Sequence, residues 1–429
     1  MEITRRQFVV GCSTAIAAMA GGRLGGLAFA EPGDIQRDIM VVVFLRGGCD
    51  GLGIVSPLDD ANFQAARNTI TFPSTGTGAG LELGQMGTVP FWLHPKAAAF
   101  KELFDSQDLA FIHASGLTNG TRSHFDAMDF MERGTPDNKS TSTGWLTRHM
   151  AATSPDGVVP VMSTGSALPA SLLGSPNAVT ISNVQRYAMQ GYGTYGAQQQ
   201  AALNEIYTKT GSMLDAPATR LLSSIAAVKA RNPANPYVPI TTYPAGGLSD
   251  SLKAIAQMIK LDVGLQVATL DFGGWDTHES QVPILGNQLD VLTRSLHAFY
   301  NDLVDYHSKL TIVVMSEFGR RLKANRSAGT DHGHGNLAMV LGGNVNGGRI
   351  FGRWPGLAHA DLDHNVDLAI TTDYRTILSE IVVRRLRNNR LGLVFPQISQ
   401  YQPLGLVRGT DMAIDWSSGF RSYLPMARR

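Results

Sequence analysis

Short, continuously apolar runs alternate along the chain with longer amphipathic stretches. The first run, Ile39–Leu45, is rich in β-branched residues and is followed by two glycines, which is typical of a central strand covered on both faces. Similar runs predict strands at Leu109–His113, Val158–Met162, Leu265–Phe272, Leu310–Met315 and Leu337–Leu341. Helical stretches are predicted at Pro95–Asp105, Ser123–Arg133, Ser249–Leu261, Leu285–His307 and Thr372–Leu386. The alternation predicts an α/β fold: a mostly parallel sheet with helices on both faces.

The strand rhythm lapses between Tyr187 and Gly247. This stretch holds a patch rich in Gly, Tyr and Gln, then a helical run at Ala197–Arg231, then a Pro-rich link that ends at Pro244. We expect a helical insertion over residues 187–247 that acts as a cap. The rest of residues 31–429 is predicted to form a single domain with one large core, since 43% of the chain is hydrophobic.

The first thirty residues predict a twin-arginine signal peptide. Arg5 and Arg6 precede a mild apolar stretch at Thr14–Ala20 and a small-residue cleavage site at Ala28–Ala30, in the order typical of such signals. The apolar part is too short and too rich in glycine for a stable membrane anchor. We therefore expect export through the Tat translocase, cleavage after Ala30 and a periplasmic or secreted mature protein.

Charge and cysteine content narrow the possible partners. The chain has 36 Lys+Arg and 35 Asp+Glu; loss of residues 1–30 removes three arginines and one glutamate and leaves 33 basic against 34 acidic residues. A nearly neutral mature chain favours neither nucleic acid nor a membrane surface as partner. Cleavage also removes Cys12 and leaves Cys49 alone, so an internal disulfide is excluded.

Polar clusters follow several predicted strands, and ligands of α/β sheets bind at the carboxyl ends of the strands. Asp50 lies in a Gly-rich turn after the first strand and is a candidate metal ligand, although a carboxylate that bonds turn amides is the alternative. Asp276 and His278 follow the Leu265–Phe272 strand. In an extended segment both side chains point the same way and suit one cation.

The third cluster follows the Leu310–Met315 strand and runs from Ser316 to Arg321. Glu317 is a candidate metal ligand, and Arg320 is a candidate clamp for an oxyanion. A surface turn with solvated arginines is the alternative.

The fourth cluster, Thr330–Gly335, contains Asp331, His332 and His334. A carboxylate and two imidazoles within four residues, flanked by glycines, are hard to explain by packing and suit a divalent cation. An exposed loop that happens to be rich in histidine is the alternative.

The predicted helix entry Thr121–Asp126 allows two interpretations. Ser123 with Asp126 fits a variant of the capping box. A hydroxyl from Ser123 or Thr121 beside Arg122 also suits a nucleophile or an anion site, because the free amides of a helix start favour negative charge. His124 is a further possible ligand or base. The sequence leaves these alternatives open.

Taken in order, these motifs resemble those of a family of exported bacterial proteins of unknown function that belongs to the alkaline phosphatase and sulfatase superfamily. The matching motifs cover nearly all of the mature chain: Gly47–Leu52, Leu93–Pro95, Ser123–Ala127, Gly274–His278, Ser316–Arg320 and Asp331–Gly335. The resemblance implies an α/β fold with a metal-dependent site for esters of phosphate or sulfate. It also implies a Ser or Thr nucleophile at a helix start after the second strand, where Thr121 and Ser123 lie.

The resemblance further implies that Asp50 is the metal ligand after the first strand and that Asp276 and His278 form the Asp–His pair for another metal. The superfamily has its remaining Asp–His pair directly after a late strand, where this chain has Glu317-Phe318. Asp331-His332 in the next loop is the candidate replacement. Cys49 is followed by Asp-Gly-Leu, unlike the Cys-x-Pro-x-Arg motif of sulfatases with a modified nucleophile.

The leading hypothesis is therefore an exported metal-dependent hydrolase of phosphate or sulfate esters, with a small-molecule or polymer ester as substrate. The cofactor would be a divalent metal, zinc first, with manganese, magnesium or calcium as alternatives. Its candidate ligands are Asp50, Asp276, His278, Glu317, Asp331, His332 and His334, while Arg320 and Arg122 would hold non-bridging oxygens. The alternative hypothesis is a non-catalytic periplasmic metal-binding or scaffold protein that retains the fold, motivated by Phe318 at a position where a ligand is expected.

Overall fold

A nine-stranded sheet runs through the protein in this computed structural model. The structure describes residues 37–155, 157–189, 193–208, 211, 215–232 and 236–417. The predicted signal peptide lies outside the described residues. The predicted α/β class is confirmed, because strands and helices alternate along the described chain.

The strands among the described residues are β1 (Ile39–Leu45), β2 (Val55–Ser56), β3 (Leu81–Met86), β4 (Val89–Leu93), β5 (Leu109–Gly116), β6 (Val161–Ser163), β7 (Ala178–Thr180), β8 (Val267–Phe272), β9 (Leu310–Ser316), β10 (Asn336–Leu341), β11 (Arg349–Phe351) and β12 (Thr372–Asp373). The α-helices are α1 (Gly51–Ile54), α2 (Ala61–Arg67), α3 (Ala98–Asp105), α4 (His124–Arg133), α5 (Trp145–Thr153), α6 (Gly196–Thr208), α7 (Asp215–Arg231), α8 (Gly247–Lys260), α9 (Gln281–Asp302), α10 (Tyr374–Arg384) and α11 (Leu391–Val394).

The large sheet has the order β11-β5-β10-β9-β1-β8-β6-β7, with β12 beside β5. All its neighbouring pairs are parallel except those of β10, which is antiparallel to both β5 and β9. The mostly parallel sheet is thus confirmed, with one strand reversed. Because β10 runs backwards, it begins at the edge where β9 ends. The loop between them therefore lies wholly at the carboxyl edge of the parallel strands.

Helices cover both faces of the sheet, as the apolar runs predicted. Alternate side chains of β1 point to opposite faces: Val41 and Val43 pack in one core cluster with α3, α8 and α9. Val42 and Phe44 pack in a second cluster with α4, α5 and α10. No helix in the described part of the chain is both long enough and apolar enough to cross a membrane.

The predicted insertion contains α6 and α7. Val228 of α7 is buried in the first core cluster, Tyr187 bonds Ser224 through their hydroxyls (2.6 Å), and Gln257 of α8 donates to the side chain of Asn232 (2.8 Å). The described part of the insertion therefore packs beside α8. Its role as a cap remains a prediction.

His113 on β5 is a buried histidine that fits its site only when neutral. Its Nε2 donates to the carbonyl of Val55 and its Nδ1 accepts from the backbone N–H of Ala114, both at 2.9 Å. The ring packs edge-on against Trp354. Burial lowers the pKa of His113 to about 4, below the value of about 6.5 expected in the unfolded chain.

We predict that the protein loses stability as the pH falls from about 6.5 to about 4, because the unfolded chain takes up this proton first. The contribution of His113 is up to about 3 kcal/mol. Denaturant titrations across this range should give a shallower pH dependence of the unfolding free energy for His113→Gln. The exposed control His359→Gln should behave as the wild type. Equal slopes for all three proteins would contradict the assignment.

Candidate metal centre

Four polar side chains from three parts of the chain meet at the carboxyl edge of the parallel strands. Asp276 and His278 lie in the loop after β8, and His332 lies in the loop before β10. His124 is the first residue of α4, which follows β5. Parallel strands bring their carboxyl ends to one edge, and the reversed β10 starts at that edge. The topology thereby collects residues that are more than 200 positions apart.

Three of these side chains have ligand atoms with the spacing of a coordination shell. Nε2 of His332 lies 3.0 Å from Nε2 of His124. Oδ1 of Asp276 lies 3.4 Å from Nε2 of His332 and 3.6 Å from Nε2 of His124. Ligands about 2.0–2.1 Å from a tetrahedral zinc ion are about 3.3 Å apart, so these three distances fit a shared cation. His278 lies beside them, with its Nε2 2.9 Å from His332 and 3.1 Å from Asp276, but it is outside the group that meets this spacing.

The far nitrogen of each imidazole faces an oxygen that can only accept a hydrogen bond. Nδ1 lies 2.7 Å from Glu317 in His124, 2.8 Å from the carbonyl of Arg122 in His332, and 3.4 Å from Asp331 in His278. Nδ1 therefore carries the proton in His124 and in His332, and the Nε2 atoms of these two rings present lone pairs to the cluster. Lone pairs this close repel unless a cation lies between them. Imidazoles that ligate metals are held in this way by carboxylates and carbonyls.

The charge of the cluster favours a cation over a protonated ring. Burial lowers the pKa of His332, and the nearby charge of Arg320 contributes in the same direction. Burial alone raises the pKa of Asp276, but the hydrogen bond and charge of Arg320 help to bring it below its usual value. Burial also raises the pKa of Glu317, but its hydrogen bonds with His124, Ser316 and Gly47 together bring it below its usual value. A neutral His332 and ionised carboxylates are what a divalent metal requires.

One side of the cluster faces solvent. The side chains of Asp276 and His278 are 49% and 44% exposed, whereas those of His124 and His332 are 21% and 24% exposed. A molecule in solution can therefore approach the ligand atoms from the side of Asp276 and His278.

Glu317 and Asp331, both predicted as direct ligands, lie behind the imidazoles. Both oxygens of the buried Glu317 carboxylate are engaged: Oε1 accepts from Gly47 N–H (2.9 Å) and faces His124, and Oε2 accepts from Ser316 (2.8 Å). Asp331 accepts from Asn325 (3.2 Å) and faces His278. The prediction is corrected: these carboxylates orient imidazoles rather than point to the common centre.

Asp50 does not reach the cluster. Its buried carboxylate accepts from Arg67 at 2.5 and 2.9 Å and from Gln281 at 2.6 Å. Asp50 is not part of the group of described residues that meets the spacing of a metal site, so its predicted role as a ligand is corrected to a buried ion pair. Within the described ranges, one group of at least three potential ligands meets the required spacing, and it comprises His124, Asp276 and His332.

Arg320 is a positioning residue and not a clamp for substrate oxygens. It is buried, and its guanidinium donates to the carbonyls of Gly48 (2.6 Å), Gly47 (2.5 Å), Trp275 (3.2 Å) and Thr330 (3.0 Å) and to Asp276 Oδ1 (2.6 Å). These bonds engage at least four of its five N–H donors. The predicted role in oxyanion binding is therefore corrected.

Arg122 and His334 also turn away from the centre. Arg122 bonds the buried Asp367 and lies 3.5 Å from Asp363. His334 lies 3.2 Å from the carbonyl of Leu117 through Nε2 and 3.1 Å from Asp363 through Nδ1. The prediction of His334 as a ligand of the same metal is corrected, because neither ring nitrogen faces the other ligands.

The hydroxyls of Thr121 and Ser123 take part in local turns. Ser123 is the N-cap of α4, where its Oγ accepts from Asp126 N–H at 3.5 Å. Oγ1 of Thr121 accepts from Ser123 N–H at 3.2 Å. Ser123 is exposed and immediately precedes His124. The capping interpretation is observed, and a role as nucleophile remains a prediction.

His124, which the sequence offers only as a further possible ligand or base at the helix entry, lies in the cluster with Asp276 and His332. A signal for it exists in the chain: His124 follows β5, so a helix that starts there must begin at the same edge as the other clusters. What the sequence lacks is any pattern that places Glu317 opposite Nδ1 of this ring.

Comparison with family models finds one match. The model described as "Protein of unknown function (DUF1501)" matches residues 113–387, a segment that contains all four residues of the cluster. No curated protein matches the chain.

The chain is also similar, at low identity, to solved structures. The C-terminal periplasmic domain of EcEptC from Escherichia coli, in complex with Zn, has 9% identity and a TM-score of 0.33 over 75% of this chain and 77% of that chain. A protein in the alkaline phosphatase superfamily from Vibrio parahaemolyticus has 11% identity and a TM-score of 0.33 over 80% and 69%. The lipoteichoic acid synthase LtaP from Listeria monocytogenes has 9% identity and a TM-score of 0.34 over 94% and 80%. Superpositions of this quality do not assign an activity.

We predict that the purified protein binds one divalent metal per chain at this cluster and that His332→Ala abolishes the binding. His334→Ala should retain it, because His334 faces Asp363 instead. Elemental analysis after dialysis, together with the shift in melting temperature on adding zinc, measures both variants. Metal retained by His332→Ala, or lost only in His334→Ala, would contradict the assignment.

Proposed function

This chain belongs to the DUF1501 family of proteins of unknown function, and we propose that it is an exported metal-dependent hydrolase of phosphate or sulfate esters. The proposal depends on one observation. The imidazoles of His124 and His332 are held through Nδ1 by oxygen acceptors, while their Nε2 atoms lie close to Oδ1 of Asp276 in one group that meets the spacing of metal ligands. This arrangement presents a ready ligand set at an edge open to solvent.

His124, Asp276 and His332 would hold the metal, and zinc suits two imidazole nitrogens with one carboxylate oxygen best. When bound, a divalent cation would polarise a phosphoryl or sulfuryl oxygen and stabilise negative charge that develops there. The protein's own contribution is orientation: Glu317 and Asp331 fix two rings, and Arg320 holds Asp276.

An anionic substrate needs positive charge at the mouth of the site. We propose that Arg321 supplies it, in place of the buried Arg320. Arg321 is exposed, and its charge, after the larger effect of the hydrogen bond from Asn325, helps to lower the pKa of Asp331. Asp331 in turn lies 3.4 Å from the metal-binding candidate His278.

The first experiment is hydrolysis of chromogenic phosphate monoester, phosphodiester and sulfate ester substrates by the mature protein. We expect turnover of one class, its loss with a chelator and its return when zinc is added. Asp276→Asn and His332→Ala should lower kcat/KM by at least about a hundredfold, because ligands act together. Full metal occupancy without turnover of any of the three substrates would contradict the hydrolase.

Among the candidate nucleophiles, Ser123 can be tested most clearly, because one substitution removes both its helix cap and its hydroxyl while another removes only the hydroxyl. We predict that Ser123→Ala lowers stability by about 1 kcal/mol through loss of the cap, while Ser123→Asn keeps the cap. If Ser123 attacks the ester, both variants lose hydrolysis by at least about a thousandfold. Activity in Ser123→Asn would assign the attack to another group, and Thr121→Val then tests the remaining hydroxyl.

A second function, metal binding without catalysis, is favoured by one feature. The apolar ring of Phe318 lies 4.8 Å from the ring of His124 and 5.0 Å from that of His332. This function predicts bound metal and a raised melting temperature with no ester turnover, so the hydrolysis experiment distinguishes the two.

Export through the twin-arginine pathway is part of the proposal. Arg5 and Arg6, followed by an apolar stretch and a small-residue cleavage site, support it. The pathway carries folded proteins, which suits a protein whose ligands come from distant loops and meet only after folding.

A further inference from the structure

A second polar site lies at the opposite edge of the sheet. A cavity of about 430 Å³ opens where β1, β8 and β9 begin, bounded by Arg37, Asp38, Gln266 and Lys309. Its other wall is formed by the end of α10 and the residues that follow, Arg384–Arg387. The seven residues of β1 span about 23 Å. The cavity is therefore separate from the metal centre at the carboxyl ends of these strands.

The cavity carries more positive charge than its carboxylate neutralises. Five basic side chains and a single carboxylate, Asp38, line it. Asp38 pairs with Arg385 (2.6 Å), and Arg384 pairs with carboxylates outside the lining. Lys309 and Arg387 have no ion pair within the part of the chain that the structure describes. Both therefore remain available to a ligand of opposite charge.

One buried N–H group in the cavity wall also lacks an acceptor: Nε of Arg385 is buried without a partner among the described residues. His149 lines the same cavity, and its Nδ1 accepts from the side-chain amide of Asn388 (3.0 Å). The proton of this ring is therefore on Nε2, which can donate to a ligand. A buried donor without an acceptor costs free energy, which an oxygen of a ligand would recover.

We infer that this cavity binds an anion that carries phosphate or sulfate groups. Guanidinium and ammonium groups bind such oxyanions with charge-assisted hydrogen bonds, and the imidazole N–H adds a neutral donor. The volume lies in the range of small-molecule sites. The ligand is either a free oxyanion or a larger molecule that ends in one. This inference does not depend on the proposed hydrolase.

The test is calorimetric titration of the mature protein with inorganic phosphate, pyrophosphate and sulfate at constant ionic strength. We expect saturable binding, and we expect Lys309→Ala and Arg387→Ala each to raise Kd about tenfold. Arg294→Ala removes a charge from the exposed face of α9 and should bind as the wild type. His332→Ala should also bind as the wild type, which separates this cavity from the metal centre.

Tighter binding of pyrophosphate than of phosphate would indicate a ligand with several phosphate groups. Saturable binding only by a phosphate attached to a larger molecule, such as glycerol phosphate, would indicate the larger ligand. Melting temperatures within a few degrees of the wild type show that the variants are folded. Absence of saturable binding by any of these anions, or equal loss in Arg294→Ala, would overturn the inference.

Discussion

The buried guanidinium of Arg320 ties together the loops that form the metal centre. Its bonds reach the carbonyls of Gly47 and Gly48 after β1, Trp275 and Asp276 after β8, and Thr330 before β10. A buried cation is stable only when its donors are satisfied, so these loops must keep this arrangement. Gly47 permits it: its φ is +121°, and a Cβ there would lie 2.7 Å from Asp276 N.

This arrangement of the loops determines how the candidate ligands are oriented. Asp276 is held by Arg320, and His124 is held by Glu317, whose other contacts are to Gly47 and Ser316 at the ends of β1 and β9. The imidazoles thus rest on carboxylates that are themselves fixed by the central strands. Such an outer shell is what makes a set of ligands selective for one geometry.

The two edges of the sheet differ in charge. At the carboxyl edge, the ligand atoms of His124, Asp276 and His332 lie close together, which suits a cation. At the opposite edge, basic side chains and an unpaired N–H group line a cavity, which suits an anion. The strands that separate the two edges are fully buried. A residue substituted at one edge therefore makes no direct contact with the residues at the other edge.

The sequence by itself predicted six strands of the large sheet, β1, β5, β6, β8, β9 and β10, and did not predict its other strands or the three-stranded sheet. The apolar run Ile39–Leu45 is β1 with the same bounds, since a strand buried on both faces needs a continuous apolar run. The motifs also identified Asp276, His278 and His332. Only the tertiary structure decided that β10 is reversed, that Arg67 occupies the carboxylate of Asp50, and that Glu317 faces His124. The physical reason is the separation along the chain of the residues involved. Burial of a strand produces a local apolar pattern that can be recognised in the sequence. Contacts between segments more than 190 residues apart, such as that of His124 with Glu317, depend instead on the order and direction of the strands.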